Sequence, residues 1–443
     1  MVTDFDAIII GAGPAGSAAA ILLVRAGWAV ALVEKQPFPR RKVCGECIAA
    51  SNLPLLQALG IGAAFEAAAG PELKRMALMH GAHTVVADLP AAAHATYRWG
   101  RALGRETLDT LLLDQARAAG AQVLQPWSVQ AIGGAAGNWR CRVRAIDTNA
   151  GLTLRAPVAI AAHGSWEALP SVRPRRRLAR HASDLFAFKA NFRNTTLAEG
   201  LLPVLAFDGG YGGMVVAEHG VTTLACCVRR DRMEACRSGL PGARAGEVVE
   251  ALLRRECAGV RAALQGATRD ASWLAAGPID PGIRLGVDDA QGGHAGHAGL
   301  LRIGNAAGEA HPIIGEGMSM ALQSAHLLCA GLLGADTGSA TWQRDVARHY
   351  AASWRQHFAG RLRLAATFAQ AAMRPALAGP LLALTSAWPG LLTAGARWGG
   401  KVRCAVDART VAELANVADK RQARPAAAVG EPQAHPHRLK ETT

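Results

Sequence analysis

Gly11-Ala12-Gly13-Pro14-Ala15-Gly16 is the stretch that decides the fold. It follows the apolar run Asp6 to Ile10, opens a helix expected over Pro14 to Ala26, and is followed by a second apolar run, Ala29 to Glu34. A G-x-G-x-x-G between strand and helix, with an acidic residue closing the next strand, is the first βαβ unit of a dinucleotide fold. Gly11 permits the tight turn, Gly13 lets a pyrophosphate approach the backbone, and Gly16 lets helix and strand touch. The helix start adds unpaired N–H groups and a positive dipole end. Glu34, eighteen positions beyond Gly16, is placed to accept ribose hydroxyls.

Outward from this unit, a Pro/Arg/Lys-rich loop from Lys35 to Lys42 leads into Cys44-Gly45-Glu46-Cys47 and a helix expected near Ser51. Leu108, Leu111, Leu112 and Ala116 give Arg105 to Ala119 a helical period, and Gln122 to Leu124 reads as a strand. Three short strands are expected from Ser128 to Ala162, with Asp147 to Gly151 as a turn. The texture then changes. Leu185 to Phe192 alternates, and Met214 to Ala217 and Val221 to Val228 flank Glu218-His219-Gly220, as in an antiparallel sheet. Leu300 to Ile303 re-enters the first domain and runs into Gly304-Asn305-Ala306-Ala307-Gly308 and a helix expected from Glu316 to Leu333.

The expected organisation is therefore α/β: a Rossmann-type dinucleotide domain (1–182) interrupted by an antiparallel β-sheet substrate domain (183–290), a return segment (291–338), C-terminal helices (339–418) and a disordered tail (419–443). In the C-terminal part, Trp342, Val346, Tyr350, Trp354, Phe358 and Leu362 recur every fourth position, the stripe of an amphipathic helix facing the core.

With 443 residues, half of them apolar, the chain reads as a packed enzyme. Its net charge of +14 comes almost wholly from scattered Arg, with only seven Lys and no basic stripe interleaved with aromatics, so nucleic acid is not an expected partner. Nine irregularly spaced Cys and the lack of a leader pattern point to the cytoplasm and free thiols. Ala376 to Ala396 carries no charge and approaches the roughly 20 residues of a membrane span. Pro380, Pro389 and Gly390 interrupt it, so broken helices packed on the protein or in peripheral contact with a membrane are expected.

FAD rather than NAD is implied by the second glycine-rich segment. After Gly304 to Gly308 come Pro312 and Gly315-Glu316-Gly317-Met318, a helix start that can aim N–H groups at the pyrimidine end of an isoalloxazine. The segments Gly11 to Gly16, Lys42 to Glu46 and Gly304 to Met318 resemble the geranylgeranyl reductase branch of the FAD-dependent (group A) monooxygenase superfamily, over residues 5 to 400. The resemblance implies FAD along the nucleotide domain under a substrate sheet. Its expected contacts are Gly11, Gly13, Pro14, Ala15, Gly16, Glu34, Lys35, Lys42, Cys44, Gly45, Arg105, Val129, Gly304, Asn305, Pro312, Gly315, Gly317 and Met318. Cys44 and Glu46 are expected to line the pocket near the flavin or only to shape the turn. His311 is expected to move protons there or to serve the turn.

The chain departs from that pattern at several places. Asn305 stands where Asp is usual, and His163-Gly164-Ser165-Trp166 stands where hydroxylases carry an Asp-Gly tied to pyridine-nucleotide use. There is no second G-x-G-x-x-G, so NAD(P)H is expected only as a transient electron donor. Gly210-Tyr211-Gly212-Gly213-Met214 replaces the two-tryptophan motif of halogenases, which argues against halogenation. Cys44 and Cys47 form a C-x-x-C, but a disulfide reductase would need further domains and a zinc site a further ligand pair, so no metal is expected.

The resulting expectation is an FAD-dependent oxidoreductase of secondary metabolism acting on a lipophilic or aromatic, polyketide- or isoprenoid-like molecule, most simply a monooxygenase. Flavin-dependent reduction of a double bond and a non-catalytic electron relay to a partner are the alternatives.

Overall fold

A computed structural model describes residues 2–165, 169–170, 180–285, 299–333 and 339–416. The expected tail and Trp166 lie outside the described residues.

Ala7–Ile10 and Val30–Val33 are buried along their whole length, as a parallel sheet covered on both faces requires. They pair in register, Ala7 with Val30 and Ile10 with Val33. Val158–Ala161 and Leu301–Arg302 extend the sheet on one side and Gln122–Leu124 on the other, all parallel. The return of Leu301–Arg302 beside Val158–Ala161 fulfils the expected re-entry. Pro14–Arg25 packs between this sheet and the Gly317–Leu332 helix, its alanines allowing close approach. Proline at the first helical position costs nothing there, because that N–H would have no intrahelical partner.

Four strands, not three, occupy 127–161. Trp127–Ala135, Asn138–Ala145 and Gly151–Ala156 join Val2–Asp4 in a separate sheet, while Val158–Ala161 belongs to the nucleotide sheet. The turn between the second and third of these forms at 146–150 as expected, with Asn149 left-handed.

The substrate sheet is larger than residues 183–290. Its eight strands include Arg75–His80 and His83–Asp88, and Arg75–His80 pairs in parallel with Leu201–Phe207. That pairing spans more than a hundred residues, and no local pattern announces it. The expected hairpin is present: Gly210–Val216 and Thr222–Arg229 pair antiparallel around Glu218–Gly220, where His219 takes φ 55°. Helices Arg230–Ser238, Ala245–Glu256 and Ala258–Ala263 cover one face of the sheet around Val248, Leu252 and Val260.

Ala340–Ala372 is a single helix whose Val346, Tyr350, Trp354, Phe358 and Leu362 are buried, as the four-residue spacing implies. Ala376 to Ala396 folds as two helices, Pro375–Ala387 and Gly390–Trp398, bent by 113°. The break falls at Trp388-Pro389, whereas Pro380 is accommodated inside the first helix.

Candidate functional site

The glycines of the first turn divide into two kinds. Gly11 has φ +102°, and a Cβ there would lie 2.6 Å from the Ala162 carbonyl oxygen; a Cβ on Gly16 would overlap the Gly11 carbonyl oxygen. Both hold strand and helix in contact. Gly13 instead faces open space between two guanidinium groups, its added Cβ lying 3.8 Å from Arg40 Nη2 and 4.0 Å from Arg105 Nη2. A helix N-terminus and two arginines converging on a bare backbone form an anion site.

The neighbours of this site hold it rigid. Arg105 is paired through two nitrogens with buried Asp109, at 2.6 and 2.7 Å, which raises its already high pKa. Arg40 lies over the Phe38 ring and donates to Glu34 Oε1 at 2.9 Å; its buried Nε has no hydrogen-bond partner. Glu34 closes the second strand, where its Oε2 accepts from the Ala12 N–H at 2.9 Å and its Oε1 from the Gln36 N–H at 2.8 Å. Arg40 Nε lies 3.5 Å from Asp109 Oδ2 without a hydrogen bond, and a cationic N–H with that capacity left, beside an anchored carboxylate and an open glycine, fits a dinucleotide's phosphate and ribose. Lys35, Lys42 and Val129 line the same cavity.

A second turn closes on that cavity. Gly304 is left-handed (φ +59°), its N–H donating to Ser324 Oγ at 2.9 Å, and Gly315 is left-handed at +62° before the Gly317–Leu332 helix. Pro14, Ala15, Pro312, Gly315, Gly317 and Met318 all line the one cavity, so two helix N-termini look into it. Asn305 also lines it and donates to Ser165 Oγ at 2.9 Å. His163 is held neutral, its pKa pushed down to about 4 by burial and by nearby Arg302 and Arg284. The cavity measures about 1240 Å³, more than one drug-sized ligand needs. Two glycine-rich turns, paired arginines and this volume fit FAD with room for a substrate.

Gly45 has no atom within 4 Å of an added Cβ, so this part of the cavity wall is bare backbone. Cys44 also lines the cavity, its Sγ accepting from the Glu46 N–H at 3.4 Å. Cys47 is buried, with Lys401 Nζ 3.8 Å away, and burial pushes its thiol pKa up; both cysteines are free thiols. Glu46, expected to line the pocket or to shape the turn, lines the cavity and also anchors the loop. It takes φ 59°, unusual for a non-glycine, and its carboxylate accepts from Lys189 Nζ, Thr223 Oγ1 and the Arg105 N–H. It ties the loop, the start of the Arg105 helix and the substrate sheet together, which makes it a positioning residue.

Across the cavity stands Tyr211, whose hydroxyl meets His311 Nδ1 at 3.1 Å. Burial raises the Tyr211 pKa and lowers that of His311, so the phenol stays protonated and the imidazole neutral near pH 7. Glu309, paired with Arg284 at 2.8 Å, also lines the cavity, and burial raises its pKa. The remaining wall is apolar: Leu78, Val204, Met214 and Ile279 from the sheet, Leu381 and Leu392 from the last helices.

The structure thus brings the expected cofactor residues to one cavity except Gly16, which is packed against the Gly11 carbonyl behind the turn, and leaves His311 just behind its wall. Arg40, Lys189, Thr223 and Glu309 were missed in the sequence. Lys189 carried a signal, a lysine in the apolar strand Phe186-Ala187-Phe188-Lys189-Ala190. Among the described residues, no group of three or more His, Cys, Asp or Glu gathers as a metal site.

The family model described as FAD binding domain matches residues 4–234. Menaquinone reductase of Mycobacterium tuberculosis is 34% identical over 119 residues, which are 27% of this chain and 28% of that protein. The match therefore spans little more than a quarter of this relative's length. Among solved structures, the myxobacterial chondrochloren halogenase CndH superposes with a TM-score of 0.68 at 18% identity, covering 94% of this chain and 96% of that one. PqsL, a probable FAD-dependent monooxygenase from Pseudomonas aeruginosa, gives 0.64 at 18% identity, covering 86% of this chain and all of the other. At such identities these likenesses concern the fold.

Proposed function

The chain belongs to the FAD binding domain family, and on that premise we propose that it is an FAD-dependent oxidoreductase that hydroxylates a lipophilic or aromatic metabolite. One observation carries the reading: the cradle at Gly13, Arg40 and Arg105 and the apolar chamber under the sheet are parts of a single cavity. Arg40 and Arg105 would hold the diphosphate, Glu34 the adenosine ribose, Val129 the adenine, and Gly304, Asn305 and Gly317 the flavin side. Bound FAD, once reduced, supplies oxygen activation or a hydride.

The chain's own residues do the rest. Leu78, Val204, Met214 and Ile279 exclude water and orient an apolar substrate. Tyr211 gives its hydroxyl proton to the reacting substrate, and His311, half-buried with Nδ1 at 3.1 Å from that oxygen, passes a replacement proton from solvent to the phenolate. Cys44 shapes the wall beside them. With His163 neutral and no second nucleotide fingerprint, NAD(P)H acts as a transient donor or a partner protein supplies electrons.

A second reading, reduction of an isoprenoid-type double bond, is favoured by the similarity to menaquinone reductase and by the Cys44-Gly45-Glu46 loop of the geranylgeranyl reductase-like pattern. Oxygen uptake by reduced enzyme separates the two. Uptake coupled to a lipophilic phenol or quinol, with an oxygenated product, is expected. A saturated product without coupled uptake establishes the second reading, and electron transfer to a partner protein without any turnover establishes a relay.

A further inference from the structure

The face that closes the substrate chamber is apolar outside as well as in. Trp388 and Trp398 are each 63% exposed, Leu377 46%, and Leu384 and Leu391 43%. Four lie on the bent pair Pro375–Ala387 and Gly390–Trp398, and Trp388 stands at the break between them. Leu384, Leu391 and Trp398 line the cavity too, so the cavity reaches the surface here, at a rim of exposed apolar side chains. The pair is seated on the edge of the substrate sheet, where Thr393 Oγ1 donates to the Asp88 carbonyl oxygen at 2.6 Å.

The charge along the chain through this rim is basic. Residues 346–406 contain no Asp or Glu. Arg374 precedes the first helix, Arg397 lies in the last turn of the second, and Arg403 follows; all three are exposed. Exposed tryptophans and leucines flanked by arginines, with Asp88 the acid at the sheet edge beneath them, are the composition of a segment lying in an anionic bilayer interface. The 113° bend presents two short helices to a surface rather than one span across it.

We propose that this face docks on an anionic phospholipid surface, with the helix pair lying in the headgroup layer, and that the substrate passes from the bilayer into the chamber through the Leu384, Leu391 and Trp398 rim. Docking itself does not depend on the reaction; the entry route rests on the lipophilic-substrate reading of the cavity. A second copy of the chain would also cover apolar surface, but an identical basic face would be brought against its like.

Co-sedimentation of the FAD-loaded full chain tests the proposal with two vesicles, pure phosphatidylcholine and phosphatidylcholine containing phosphatidylglycerol. The chain is expected to bind the second and to be weakened by salt. Leu377→Ser with Trp388→Ser, neither of which lines the cavity, should lower binding at least about tenfold while flavin content and thermal midpoint stay unchanged. Absence of binding to both vesicles overturns docking, as does a double variant that binds equally well. So does a dimer in sedimentation velocity that the double variant abolishes without vesicle binding by the wild type. Vesicle binding combined with turnover of water-soluble substrates only would overturn the entry route and the lipophilic reading but leave docking intact; coupled turnover of a lipophilic substrate without vesicle binding would overturn docking and the bilayer route but leave the lipophilic reading intact.

Discussion

Glu46 and Lys189, 143 residues apart in the chain, form an ion pair in which the side chains are 2% and 1% exposed. It joins the loop beside the cofactor cradle to the middle of the substrate sheet. Taking two charges out of water is costly, and removing one partner leaves the other uncompensated, which costs about 3–5 kcal/mol. Lys189→Met should therefore lower the urea midpoint by an equivalent amount, and Glu46→Leu added to it should restore part of the loss. A lone Lys189→Met variant as stable as wild type would show that the pair holds nothing together.

The glycines of the first turn should separate on substitution. Gly16→Ala places a methyl on the Gly11 carbonyl and should destabilise the apoprotein. Gly13→Ala meets only guanidinium groups 3.8 and 4.0 Å away, so its apoprotein should keep the wild-type thermal midpoint. Gly13→Val should lose the flavin absorbance altogether, because the backbone is no longer approachable. Full FAD content in Gly13→Val would displace the diphosphate from this turn.

Both arginines that face Gly13 pair with buried carboxylates, Arg105 with Asp109 and Arg40 with Glu34 at 2.9 Å and Asp109 at 3.5 Å, so apoprotein stability is measured beside affinity. A charged hydrogen bond contributes about 1.5–3 kcal/mol, so Arg40→Met should weaken FAD binding about 10- to 150-fold by flavin-fluorescence titration. An unchanged affinity would place the phosphates elsewhere.

Acid should act through His326. It is fully buried in the Gly317–Leu332 helix, its Nδ1 bonded to the Leu322 carbonyl, its Nε2 without a partner and its pKa pushed to about 4. Since the unfolded chain takes up this proton near pH 6.5 and the folded chain only near 4, the stability is present above pH 6.5 and lost as pH falls through about 4. The gap corresponds to about 3 kcal/mol. Urea midpoints at pH 7 and pH 4.5 should differ less in His326→Leu than in wild type; equal differences would show that His326 does not titrate as described.

Tyr211→Phe removes one hydroxyl from a buried ring. The flavin spectrum should survive, while turnover falls about 100-fold, the range of a lost proton donor. Turnover within a few-fold of wild type would reduce Tyr211 to packing.

The βαβ unit, both glycine-rich turns, the return strand and the Val346 to Leu362 stripe were legible because each is a local period or a fixed spacing. Gly304 to Met318 could be assigned to the cofactor from the pattern alone, and the structure brings it into the cavity of Gly11 to Gly16. Glu46 and Lys189 were not legible as a pair, since neither residue's neighbours encode the other. The Arg75–Asp88 hairpin escaped for the same reason, its partner Leu201–Phe207 lying far along the chain.

By itself the sequence determined the FAD-binding fold and its two glycine-rich turns, since tight turns and helix starts are set by a few adjacent residues. Only the tertiary structure decided that Arg40 and Arg105 converge on Gly13, that Tyr211 meets His311, and that the Pro375–Ala387 and Gly390–Trp398 helices rim the chamber. Those relationships join residues from separate elements, and in such contacts the physics lies in distance through space rather than in spacing along the chain.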